Sequence, residues 1–216
     1  MTELDTALTD YLLCIESFIF AVAVGKIEKA KYRHGIYSIL FLSFGLASFT
    51  GGTTHGFYSD PSNNQHNILW WLTLFFVGII SYGFASGGLD LILLKQDALR
   101  WNKILLLFLF IYCIVIIFQR SFLAAVIIYI PAVTLSLIGF IFAYRRFPSK
   151  KIKFGIYGLA LSFLATVLQQ LKISVYYPIH LTHNAVYHLI LMAVLYMFFV
   201  GVKNVINIGD IERDIN

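Results

Sequence analysis

Seven apolar stretches, at roughly 7–25, 35–58, 68–94, 102–118, 121–144, 152–174 and 180–202, are joined by short loops of alternating charge. Each is about 17–27 residues, enough at about 1.5 Å rise per residue to cross a hydrocarbon core of about 30 Å. Helices are the only open spanning element, because an unpaired backbone group in lipid costs several kcal/mol, and the runs lack the alternation of barrel strands. The expected fold is all-α, a polytopic transmembrane bundle of seven helices forming one domain over residues 1–216.

Charge then orients the bundle. Lys26, Lys29, Lys31 and Arg33 lie in the first joint, Lys95, Arg100 and Lys103 in the third, and Arg145, Arg146, Lys150, Lys151 and Lys153 in the fifth. Lys203 and Arg213 follow the last stretch, so fourteen of the sixteen basic residues share one side, against Arg120 and Lys172 on the other. The positive-inside rule places the N-terminus outside and the C-terminus in the cytoplasm. Charged residues make up only 12% of the chain, against about 25% in a soluble domain. The net charge of +5 sits in juxtamembrane loops, which points to lipid as the partner and away from nucleic acid. A multi-pass place in a bacterial cytoplasmic membrane or an equivalent membrane is expected.

The first stretch resembles a signal peptide in its Ala21-Val22-Ala23, but its leader carries Glu3 and Asp5 where a basic region belongs, so an uncleaved helix is expected. Cys14 and Cys113 fall inside spans and read as packing residues. Asp60-Pro61-Ser62-Asn63-Asn64 is a turn, Pro131 predicts a kink in span five, and Thr182 is a candidate cap for a helix starting at His183. The small residues of span two (Gly45 to Gly52) and span three (Gly83 to Gly88) place those helices at the centre of the bundle. His34, His66 and His180 read as loop residues. Asp90 reads as a partner of Lys95, the pairs Trp70-Trp71 and Tyr176-Tyr177 as outer belt anchors, and Trp101 as an inner one. The tail Asp210 to Asp214 reads as short, polar and frayed.

Ionisable side chains inside a bilayer are costly unless they face a partner or a water-filled cavity. Five of the six histidines fall on the outer side or in the outer half. His55 lies near the outer end of span two, His183 opens span seven, and His188 lies roughly 7–8 Å deeper. Glu16 lies roughly 13 Å into span one, and Gln169 and Gln170 end span six at comparable depth. Glu16, His55, His183 and His188 are therefore expected around one outer cavity. Three imidazoles and a water make a catalytic zinc site. The separation of His183 and His188 turns an ideal helix by about 500°, leaving the rings about 140° apart; Asn184 and His188 share a face instead.

Gly51-Gly52-Thr53-Thr54-His55 in span two and His183 to Leu189 in span seven resemble the CREST superfamily, which contains the alkaline ceramidases and the adiponectin and progestin-type receptors. The resemblance implies seven spans and a zinc ion held by one span-two and two span-seven histidines, with a serine and an aspartate nearby. His55 and His188 match that pattern. His183 is one position early, Asn184 stands at the expected histidine, and Gly51 at the expected serine, with Ser48 one turn back as its substitute. The only span-three aspartate, Asp90, is near the inner end. On this reading the chain is a zinc-dependent hydrolase of lipid amides or esters, with His55, His183 and His188 on the metal, Glu16 and Ser48 assisting catalysis, and Asn184 and Gln169 completing the cavity. The alternative is a non-enzymatic sensor, transporter or assembly factor whose cavity binds a ligand or protons. No GxSxG, P-loop or HExxH motif is present.

Overall fold

A computed structural model describes residues 3–27, 31–176, 178 and 180–211. Its seven helices are α1 (Leu4–Gly25), α2 (Lys31–Phe57), α3 (Asn64–Ile92), α4 (Lys95–Phe118), α5 (Phe122–Arg146), α6 (Lys150–Gln170) and α7 (His183–Ile211). All seven are long and apolar enough to cross a membrane, the build of a multi-pass membrane protein. Lys29, Tyr177 and Arg213 lie outside the described residues.

Local chemistry sets the ends. Asn63, Ser121 and Ser149 each accept a hydrogen bond from the backbone N–H two residues on, capping α3, α5 and α6. The Thr182 hydroxyl accepts from the Ala185 N–H at 3.3 Å, so α7 starts at His183. Span six was expected to reach residue 174 but stops at Gln170. Lys172 takes a left-handed backbone (φ 53°), its N–H donates to the Gln169 carbonyl, and the Ile173 N–H donates to the Leu168 carbonyl. That reversal ends the helix. Val175 and Leu181 then pair as an antiparallel bridge, which holds the α6–α7 loop.

Two further expectations need correction. His34 lies within α2 and His66 within the first turn of α3, so neither is a loop residue; Asn63 starts α3 early enough to include His66. Asp210 and Ile211 continue α7, while residues 212–216 of the tail lie outside the described residues. α5 includes Pro131, the position of the expected kink, within one continuous helix.

The helices close a ring in the order α1–α2–α3–α5–α6–α7, and α4 packs on α3 from outside. Leu4, Leu8, Leu12, Ile15, Ile19 and Val22 are exposed, while Thr6, Thr9, Asp10, Leu13 and Ser17 are buried. α1 thus turns its apolar stripe outward and its polar stripe inward, as a bilayer favours. Spans two and three pack on each other as part of this ring, and the tightest crossing involving them is with α5. A Cβ on Gly88 would lie 2.5 Å from the Leu135 carbonyl oxygen, and one on Gly139 would lie 2.5 Å from that of Gly88. Only glycine lets these backbones meet.

Inside the ring, Phe198 of α7 touches Tyr37, Phe41, Phe84 and Phe140, with ring centroids 5.1–6.0 Å apart. These rings are buried and fill the half of the bundle nearest the α3–α4 and α5–α6 turns. The opposite half is open.

Candidate functional site

The open half contains a cavity of about 250 Å³, at the end of the bundle bearing the start of α1 and the α2–α3 and α6–α7 loops. His55, His183, His188, Asn184, Gln169 and Ser48 all line it. Asp10 of α1 lines it too, together with Tyr129 and Tyr187. The α3 and α5 walls are largely apolar, with Val77, Ile80, Phe122, Ala125 and Val126.

Glu16 stands apart. It is half-buried in α1, does not line the cavity, and its Oε2 is buried without a hydrogen-bond partner among the described residues. The reason is angular. Asp10 faces the cavity, and six further residues turn an ideal helix by about 600°, leaving Glu16 about 120° away. Depth alone put Glu16 with the histidines; direction separates them.

Three networks hold the polar wall. In the first, Glu3 Oε2 accepts from the Thr6 hydroxyl at 3.1 Å and from Asn184 Nδ2 at 3.3 Å, and lies 3.1 Å from His55 Nδ1. Gln169 Nε2 extends this to Asn184 Oδ1 at 3.4 Å. In the second, Asp5 Oδ2 accepts from the Thr182 N–H at 2.6 Å, and the Thr6 and Thr182 hydroxyls are 2.8 Å apart. The start of α1 is thereby tied to the start of α7. In the third, His188 Nδ1 lies 3.2 Å from the Thr9 hydroxyl, and Nε2 lies 3.4 Å from Asp10 Oδ1.

Asp10 gets this deep because α2 offers glycines opposite it. A Cβ on Gly52 would sit 2.8 Å from the Asp10 Cβ, and one on Gly51 would sit 3.4 Å from Asp10 Oδ2. Gly51 is the position where the resemblance expects serine, and here the carboxylate of α1 occupies that neighbourhood. The α1 polar face (Glu3, Thr6, Thr9, Asp10) is the part of the site that the reading by depth did not single out. Its signal is a stripe at three- and four-residue spacing, opposite the leucines.

In this structure His55, His183 and His188 are not gathered into a three-imidazole centre. Among the described residues, no three His, Cys, Asp or Glu side chains form a group able to hold a metal ion. His188 already faces Thr9 and Asp10 through its two nitrogens, and His55 Nδ1 is turned to Glu3.

No curated protein and no solved structure matches this chain. Residues 6–207 match the profile of a family of unknown function, DUF6962, and the chain belongs to that family.

Proposed function

We propose that this protein is a membrane-embedded binding protein, in the manner of a sensor or receptor, whose cavity holds a small amphipathic molecule. The observation that carries this reading is the two-faced lining. Asp10, His55, Asn184 and His188 stand on one side, with Val77, Ile80, Phe122 and Val126 on the other. A few placed polar groups among apolar walls are the usual make-up of a small-molecule site. At about 250 Å³ the cavity lies just below the usual range of about 300–1,000 Å³, which suits a compact molecule or the head and first carbons of a lipid. The skew of basic residues supports a cavity mouth on the non-cytoplasmic side. Hydrolysis is the weaker reading, because His55 Nδ1 is turned to Glu3 and His188 Nδ1 to Thr9 rather than to a nucleophile.

The test is extraction of the purified protein followed by mass spectrometry. One amphiphile is expected near equimolar amounts in the wild type, and much less in Ser48→Leu, where the larger side chain projects into the cavity. A wild type that retains no such molecule, and is stabilised against heat by none, would sink the proposal.

A further inference from the structure

We propose that the molecule held in this cavity carries an ammonium head, seated beside the gap between Asp10 and His188. This rests on the binding reading above and names the chemistry of the ligand.

The Thr9 hydroxyl has one proton, and it is directed at the carbonyl oxygens of Asp5 (3.0 Å) and Thr6 (2.9 Å), one turn back along α1. Toward His188 Nδ1, 3.2 Å away, Thr9 therefore acts as acceptor, which assigns the ring proton to Nδ1. Nε2 then presents a lone pair to Asp10 Oδ1 at 3.4 Å. Two acceptors face each other across a gap that asks for a donor. The Asp10 side chain is only 6% exposed, and a buried carboxylate without a cation is costly.

An ammonium on the cavity side can lie about 2.9 Å from both atoms and donate to each. It neutralises Asp10 and satisfies Nε2 together. The rest of the lining suits such a head. Among the described residues no Lys or Arg lines the cavity, and Arg120, the basic residue between α4 and α5, donates instead to Asn67 Oδ1 at 2.9 Å. Tyr129 and Tyr187 line the same space, and aromatic rings attract cations. The hydrocarbon part of the ligand then lies along α3 and α5.

Calorimetric titration of the detergent-solubilised protein at neutral pH tests this with three eight-carbon probes: octylamine, octanol and octanoate. The expected result is saturable octylamine binding, at least tenfold tighter than either of the others, and weakened at least tenfold in Asp10→Asn. Octanol or octanoate binding as tightly as octylamine would overturn the ammonium head and leave the binding reading standing. Binding of none of the three would overturn both. Should Asp10→Asn fail to fold, the ranking of heads in the wild type decides alone.

Discussion

Glu3 Oε2 lies 3.1 Å from His55 Nδ1, and the Glu3 N–H donates to the His55 carbonyl at 3.2 Å, so one residue clasps the end of α2 twice. The same oxygen accepts from Thr6 and Asn184, which joins α1, α2 and α7 at the cavity rim. The pair is partly exposed, with 37% of the Glu3 side chain accessible, so its contribution is modest. Glu3→Ala should cost about 1 kcal/mol, and Glu3→Gln, which keeps an acceptor, about half of that. Thermal unfolding in detergent checks both, and an unchanged midpoint for Glu3→Ala would count against the clasp.

Glycines in this fold differ sharply in what surrounds them. Gly88→Ala forces a methyl to within 2.5 Å of the Leu135 carbonyl, where backbone must move, and should destabilise by about 1–3 kcal/mol or more. Gly35 also lies in a helix, α2, yet a Cβ there meets nothing within 4 Å. Gly35→Ala should stabilise by about 0.5–1 kcal/mol through helix propensity. The informative measurement is the difference between the two variants, and equal effects would mean that the α3–α5 crossing is looser than described.

Orientation has a direct assay. A reporter active only outside the cytoplasm, fused after Asp60 in the α2–α3 loop, should be active. The same reporter after Lys150 should be silent. The reverse pattern would turn the cavity mouth to the cytoplasm.

Much of the fold was legible because hydropathy and length decide which segments are long and apolar enough to cross a bilayer. The residues that meet at the cavity were largely legible from depth, since His55, His183, His188, Asn184 and Gln169 sit near the same ends of their helices. Azimuth was harder. Asp10 and Glu16 lie on one helix, and only the outward leucine stripe tells which of them faces inward. Glu3 was hidden because it precedes the first apolar residue and reads as leader. The ring order was illegible as well, since spans of similar hydropathy do not name their neighbours. The small-residue runs gave no sign that α3 would meet α5 through Gly88 and Gly139.

Glu16 yields its own prediction. Its Oε2 is buried without a partner among the described residues, and it lies outside the cavity. Removing a buried, unsatisfied polar group relieves its desolvation cost, about 1–3 kcal/mol. Glu16→Leu should therefore raise the unfolding midpoint and leave amphiphile binding unchanged. Loss of binding in a folded Glu16→Leu protein would bring Glu16 back into the site.

Lys172 gives the last. It occupies the left-handed position that ends α6, where its φ of 53° suits glycine. A side chain in that conformation costs about 1–2 kcal/mol, because Cβ crowds the following carbonyl. Glycine removes this crowding but gives the unfolded chain more freedom, so the net gain for Lys172→Gly should be about 0.5–1 kcal/mol. Lys172→Val should lose stability, since a β-branched residue tolerates positive φ poorly. Thermal unfolding of the two variants checks the pair. Were valine tolerated as well as glycine, the backbone reversal would not be what stops α6 at Gln170, and the placement of Gln169 at the cavity would need another cause.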